Sequence, residues 1–248
     1  MRKTLFMWLF LAAAFFTNGQ GTTLYKVNDA TPKSGMKSAF EESCKLHMAK
    51  FHSGSDKREV YEVVSGPDIG SFIIVQGPIS YADMDKTLPD AKEHSLDMEK
   101  TFSTKLEPMN NNFLVRWVDT LSYKGDDVKA QLFLLTITVV KDGKMGDYMA
   151  EARKAVLLYT KLNSPFSFNI MLKMQAGSSP TIIMIRNLKD GYKELDADYF
   201  HLATDWFKAA YVKEYGQDDW DKRVKLLTDD VVSRTQHFEK LRPDLSSK

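Results

Sequence analysis

The pattern of apolar and polar residues predicts helices and strands in alternation along the chain. Between residues 40 and 51, residues that favour burial recur every three or four positions, which is the period of one helix face. The residues on that face are Phe40, Cys44, His47, Met48 and Phe51. Strands are predicted at residues 61–64 and 72–75, with a Gly-Pro-Asp turn between them. The first half of the chain is therefore expected to run helix, strand, strand.

The same order is predicted again in the second half of the chain. A second helical stripe is formed by Met149, Ala152, Val156 and Tyr159. Strands follow at residues 166–172 and 182–185. Each half then continues with another helix, and each is preceded by a strand, at residues 24–27 and 132–140. Both halves are thus predicted to run strand, helix, strand, strand, helix.

A repeated motif supports this internal symmetry. Residues 72–76 read FIIVQ and residues 182–186 read IIMIR, so the two runs lie 110 residues apart. Each run is followed by a tyrosine, an acid and an aspartate in the same spacing. These motifs read YADMD at residues 81–85 and YKELD at residues 192–196, with an offset of 111 residues. An internal repeat is therefore expected.

The element order is that of a split βαβ unit, which is ferredoxin-like. Residues 113–118 supply a closing strand for the first unit. After the second unit we predict no strand but an amphipathic helix that would cover the open sheet edge. This helix would carry Trp220, Val224, Leu227, Val231 and Phe238. The predicted fold class is α+β, with two ferredoxin-like repeats arranged as a pseudo-dimer and an extra C-terminal helix.

Two such units in one chain resemble the dimeric α/β-barrel superfamily. The resemblance is one of element order and covers roughly residues 24–215. It implies repeats at residues 22–125 and 126–248. Separately, the composition of residues 242–248 predicts a frayed C-terminal tail. Two unrelated α+β domains are the alternative. Because the superfamily has monooxygenase and haem-degrading members, the resemblance also implies a possible active cavity between helices and sheet.

The N-terminal segment, residues 1–21, is predicted to be a secretory signal peptide. Arg2 and Lys3 precede an apolar run at residues 5–16, and small residues follow it. This run is shorter than the ~20 residues that a spanning helix needs. We therefore expect an exported protein, periplasmic or extracellular, with no membrane span once the signal is removed.

Composition excludes several classes of partner and site. The chain has 34 basic and 33 acidic residues, so no net field favours nucleic acid. Its single cysteine, Cys44, rules out an intramolecular disulfide. No nucleophile elbow, phosphate-binding loop or His-Glu-x-x-His motif occurs. The expected partner is a small-molecule ligand or another protein, and we expect no cofactor.

Cys44 and His47 are the most tempting candidates for a metal or thiolate site, since they stand three apart on one helix. Their place on the apolar face favours two buried core residues instead. His52 lies about 140° further round an ideal helix, which would keep it from completing the site. His94, at the start of a later helix beside Glu93, is expected to be solvated. No metal site is therefore predicted.

Candidate ligand-binding residues remain on the predicted strands and loops. Arginines on strand faces could bind an anionic ligand between the two units, whereas exposure at strand ends would explain them equally well. The repeated tyrosines could contact ligand or anchor a corner. The candidates are Arg116, Trp117, Arg186, Tyr81, Tyr192 and His201. The expected function is binding of a small ligand or partner without catalysis, and the alternative is a cofactor-light, monooxygenase-like enzyme.

Overall fold

A computed structural model describes residues 22–53, 56–87, 90–108, 112–124, 129–174, 179–196, 199 and 204–248. The predicted signal peptide lies outside these residues. The fold is mixed α+β, as predicted. The strands are β1 (Leu24–Ala30), β2 (Arg58–Val63), β3 (Phe72–Ile79), β4 (Asn112–Trp117), β5 (Leu132–Val140), β6 (Phe168–Lys173), β7 (Thr181–Leu188) and β8 (Val231–Leu241). The α-helices are α1 (Lys37–Phe51), α2 (Tyr81–Met84), α3 (Ala91–Asp97), α4 (Met145–Lys161), α5 (Thr204–Tyr215) and α6 (Gln217–Thr228).

The strands close into one barrel in the order β1-β3-β2-β8-β5-β7-β6-β4. Every pair of neighbouring strands is antiparallel. The first half contributes β4-β1-β3-β2 and the second half contributes β8-β5-β7-β6, so each half has the same internal order. Pairing of β2 with β8 and of β4 with β6 joins the halves. The barrel therefore exists only when both halves are present.

The uninterrupted apolar runs of β3 and β7 follow from burial on two sides. Successive side chains of a strand point to opposite faces. In β3, Ile73 and Val75 line the barrel interior, whereas Phe72 and Ile74 are buried in the core outside it. A strand with both faces covered has no need for alternation of apolar and polar residues.

Helices cover the outer face of the barrel and build separate cores. In the first half, α1 packs Phe40 against Phe72 and Phe102, with ring centroids 4.9 and 5.1 Å apart. In the second half, α4 and α5 pack through Tyr159 and Phe207, with ring centroids 5.0 Å apart. These cores hold α1, α4 and α5 in place on the outside of the barrel.

The C-terminal region departs from the prediction. A helix does form at Gln217–Thr228, but Val231 and Phe238 belong to β8 and not to that helix. The predicted absence of a closing strand was wrong, because β8 pairs with both β2 and β5. The prediction of a frayed tail was also wrong, since Leu245 is buried in the core that contains Phe40 and Phe72.

Among the described residues, no helix combines the length and the apolar character that crossing a membrane requires.

Candidate functional site

The barrel encloses a cavity of about 880 Å³ to which all eight strands contribute side chains. An eight-stranded barrel is just wide enough to hold one small ligand. The volume is within the usual range for small-molecule sites. The middle of its wall is apolar and comprises Val27, Ile73, Val75, Phe113, Val115, Phe133, Leu135, Ile137, Met171, Ile183 and Ile185.

Acids interrupt this apolar wall, and one of them is buried. Glu239 on β8 is 5% exposed and lies 2.9 Å from Nε2 of His237. Burial raises the pKa of Glu239, the His237 hydrogen bond opposes that shift, and Asp29 raises the pKa further. A carboxyl group in this state is able to hold a proton and donate it.

A second acid lies on β2. Glu59 accepts a hydrogen bond of 2.5 Å from the Tyr61 hydroxyl, and both side chains line the cavity. Burial, followed by the charge of Glu59, raises the pKa of Tyr61, which therefore stays a neutral phenol. Asn169 adds a buried Oδ1 that accepts no hydrogen bond within the described part of the chain. The polar groups of the cavity are consequently rich in acceptors.

The structure places the predicted strand residues outside this cavity. Arg116, Trp117 and Arg186 are not among its lining residues. Trp117 donates from Nε1 to Ser122 Oγ at 3.0 Å. Arg186 points to the helix side, where Glu194 lies 3.2 Å away and the guanidinium stacks 4.3 Å from the Phe166 ring. The expected pair of arginines in a cavity between the units is therefore not formed.

The repeated tyrosines are surface residues. Tyr81 and Tyr192 are 52% and 53% exposed, so neither anchors a buried corner. Tyr192 contacts Phe238 with ring centroids 5.3 Å apart. The remaining candidate, His201, lies outside the described residues.

The predicted burial of Cys44 and His47 is confirmed, at 0% and 2% exposure. Burial raises the pKa of the Cys44 thiol to about 12, and the thiol donates to the Leu245 carbonyl. A thiol in this state is a poor nucleophile and a poor metal ligand. Cys44 is a core residue.

His47 nevertheless has ring neighbours that the helical pattern excluded. Helix α1 ends at Phe51, so His52 leaves the helix path and turns back toward His47. His94 of α3 is half-buried against the same two rings and not solvated. Burial is the largest cause of a lowered pKa at all three imidazoles, with His52 at about 4. Neutral imidazoles are the form that binds metal ions.

A haem, which some members of the resembling superfamily handle, does not fit the described residues of the second half. The space between α4 and the sheet is filled by aromatic rings. Tyr159 packs against Tyr123, Phe168 and Phe207, with ring centroids 5.0–5.8 Å apart. Within the described residues of the second half, the space between α4 and the sheet is therefore filled by side chains, whereas the cavity described above lies inside the barrel.

Sequence reasoning missed Glu239, His237 and Asn169 as cavity residues. Residues 237, 239 and 241 of β8 alternate into the cavity, which is the signal of a strand. The signal was hidden because the preceding residues 233–236 are polar and exposed. A run of this kind does not show the regular alternation from which strands are predicted.

No family model and no curated protein matches this chain. Several solved structures match it in fold. A proposed monooxygenase from Fusobacterium nucleatum is 12% identical, with a TM-score of 0.57 over 90% of this chain and 93% of that one. A proposed monooxygenase from Lactobacillus acidophilus is 12% identical, with a TM-score of 0.53 over 92% and 96%.

Chlorite dismutase from Candidatus Nitrospira defluvii is 9% identical, with a TM-score of 0.52 over 91% of this chain and 93% of that one. The likeness to these structures supports an α+β barrel fold for this chain. Identities this low show the fold alone.

Proposed function

We propose that this protein binds a small, elongated and largely apolar molecule inside its barrel. The observation that supports this most is the cavity itself, which is lined by apolar side chains and interrupted by a few buried acceptors. Ligand sites typically combine an apolar wall with a small number of polar groups that fix orientation. The proposed role is binding, in line with the function expected from the sequence.

The polar groups indicate the chemistry at one end of the ligand. Asn169 Oδ1 is buried and accepts no hydrogen bond within the described residues, and a buried acceptor without a donor is costly, while Glu59 and Glu239 add carboxyl oxygens to the lining. A hydroxyl or amine on the ligand would supply donors to these groups. A carboxylate would supply no donor to the Asn169 oxygen. The ligand is therefore proposed to be an alcohol or amine with an apolar body.

A matched series of ligands tests this proposal. Decylamine, decanol and decanoate share one alkyl chain and differ in the end group. Below the concentrations at which they form micelles, the amine and the alcohol should raise the melting temperature, because a ligand of the folded state stabilises it. Decanoate should raise it less. Equal shifts for all three, or the largest shift with decanoate, would contradict the proposed end-group chemistry.

The two halves are proposed to be repeats fused as a pseudo-dimer. What supports this is their shared strand order, with the apolar runs of residues 72–75 and 182–185 on the third strand of each half. Superposition of residues 36–106 on residues 145–213 in an experimental structure tests it. Failure of the two strands to coincide would refute the repeat.

The protein is also proposed to be exported. The basic start and apolar run of residues 1–21 support this location. N-terminal sequencing of protein made by its own cells should begin near residues 20–23. An intact Met1 on the mature protein would refute export.

A cofactor-light oxygenase is the second candidate function. It is favoured by the His237–Glu239 pair, which can move a proton beside a bound molecule, and by the fold shared with proteins proposed as monooxygenases. Oxygen consumption in the presence of a ligand found by melting temperature tests this candidate. If the ligand binds and no oxygen is consumed, the binding function stands and the oxygenase does not.

A further inference from the structure

Three histidines meet on the outer side of the barrel, apart from the cavity. His47 lies on α1, His52 follows the end of that helix, and His94 lies on α3. His47 and His52 are 2% and 1% exposed, and His94 is half-buried. One ligand atom from each of the three lies within 4.8 Å of the others.

Two carboxylates fix which ring nitrogens carry hydrogen. Nδ1 of His47 lies 2.7 Å from Asp97 Oδ2, and Nδ1 of His52 lies 2.8 Å from Asp56 Oδ2. An ionised carboxylate only accepts hydrogen bonds, so both Nδ1 atoms are donors. In a neutral imidazole, Nε2 then presents a lone pair. Both lone pairs point into the space between the rings.

The two Nε2 atoms of His47 and His52 are only 3.2 Å apart. Two lone pairs at this separation repel each other, and the buried site has little water to relieve the repulsion. His94 can donate to His52, since their Nε2 atoms are 3.3 Å apart, but one lone pair would still be unmatched. A cation between the three nitrogens would satisfy all of them.

The Nε2 separations of His47 from His52 and of His52 from His94 match one coordination geometry. Bonds of 2.0–2.1 Å to a tetrahedral zinc ion place two nitrogen ligands about 3.3–3.4 Å apart. Right-angled ligands at the same bond length would be only about 2.9 Å apart. The observed separations of 3.2 and 3.3 Å are nearer to the tetrahedral value. We propose that His47, His52 and His94 bind a divalent transition metal ion, with Zn²⁺ as the best match, through their Nε2 atoms.

The surroundings hold the ligands in place for this role. A ligating histidine usually donates its other ring hydrogen to a carboxylate, which orients the ring. Asp56 is itself held by Gln76 Nε2 at 2.5 Å and by Arg58 at 3.7 Å. Phe51 and Phe102 pack against His47, with ring centroids 5.0 and 5.3 Å away. Asp56 and Asp97 are therefore positioning residues.

Three protein ligands leave one coordination position for water or another small ligand. Three histidines with an open fourth position are the ligand set of some catalytic zinc sites, whereas structural sites have four protein ligands. Imidazole also suits copper, nickel and iron, so availability could change the ion that the protein carries. This inference is independent of the ligand proposed for the barrel.

Zinc titration of the chelator-treated protein by calorimetry tests the site. We expect one Zn²⁺ per chain for the wild-type protein. His94→Gln, at the half-buried position, should lower the affinity more than tenfold. Asp56→Asn should lower it about 10–100-fold, which is typical of removing a carboxylate that orients a ligand. Asp142→Asn, at an exposed aspartate of the second half, is the matched control and should bind as the wild type does.

Cobalt substitution gives a readout that does not depend on affinity. Co²⁺ in the wild-type site should show the intense visible absorption of a four-coordinate ion, and His52→Gln should abolish it. If His52→Gln does not fold, His94→Gln provides the same comparison. Folded wild-type protein that binds no Zn²⁺ would overturn the inference. So would Zn²⁺ binding that survives in the folded His94→Gln and Asp56→Asn variants unchanged.

Discussion

Glu239 shows how strongly the chemistry of a residue depends on its place in the barrel. Residues 233–236, which precede it on β8, are exposed. Glu239 itself is buried beside His237. Phe133 of β5 is its partner in the strand pairing. Burial of a carboxyl group disfavours its charged form. Burial therefore raises the pKa of Glu239 above that of a carboxyl group in water.

Replacing Glu239 by glutamine should change the pH dependence of stability. Between the ordinary carboxyl pKa of about 4.3 and the raised pKa in the fold, the unfolded chain has lost the proton and the folded chain has kept it. The free energy of unfolding therefore falls as pH rises through that window, by at most about 1.4 kcal/mol per pH unit. Glu239→Gln removes this contribution.

Urea unfolding of both proteins across that pH range measures the effect. The other titrating groups are common to the two proteins, so the difference between their profiles reports on Glu239 together with its partner His237. The wild type should lose stability relative to Glu239→Gln as pH rises. Parallel profiles would show that the carboxyl group titrates normally.

Residue-scale predictions from the sequence were good for burial and poor for contacts. The helical stripe correctly placed Cys44 and His47 in the core, since burial of a helix face follows from periodicity. It excluded His52 because an ideal helix was assumed to continue. Helix α1 ends at Phe51, and the next residue is free to return. His94 is 42 residues from His52, and no local pattern connects the two.

At the scale of elements, residues 242–248 after β8 form a C-terminal latch, a segment that packs against the first half of the chain. Arg242 pairs with Glu41 and Glu62 at 2.9 and 2.7 Å. Leu245 is 3% exposed in the core beneath α1. The end of the chain is thereby fixed to elements near its beginning.

Leu245→Ala should destabilise the protein by roughly 2–5 kcal/mol, the usual cost of truncating a buried leucine. Leu46→Ala is the matched control, because Leu46 on α1 is 62% exposed and its truncation should change stability by less than about 0.5 kcal/mol. Urea unfolding midpoints of both variants provide the measurement. A small effect at Leu245 would mean that the latch is not part of the cooperative fold.

The error over β8 has a physical reason at this scale. Trp220 and Val224 are spaced as on a helix, and α6 does form there. The helix ends near Asp229, and the apolar positions beyond it are too few to reveal their own period. Pairing with β2 and β5 makes residues 231–241 a strand, and that pairing depends on closure of the whole barrel.

At the scale of the whole molecule, the cavity is a product of barrel closure. The elements of the first half, and those of the second half up to its closing strand, were predictable because they follow from local periodicity. The joining pairs β2–β8 and β4–β6 link residues far apart in sequence. Which strand faces look inward is settled only by these pairs, and Arg116, Trp117 and Arg186 are not among the residues that line the cavity.

Binding of a fluorescent probe tests whether the barrel interior is a ligand site. N-phenyl-1-naphthylamine is a neutral, apolar amine whose fluorescence rises in a dry environment. Val75 lines the cavity, so Val75→Trp should fill part of it. Val232 is 64% exposed on β8, so Val232→Trp adds the same side chain outside.

Fluorescence titration of the three folded proteins gives the answer. If the barrel interior is the ligand site, the wild type and Val232→Trp should bind one probe per chain saturably. Val75→Trp should bind the probe at least tenfold more weakly. Equal binding by both tryptophan variants, or no saturable binding by the wild type, would contradict it.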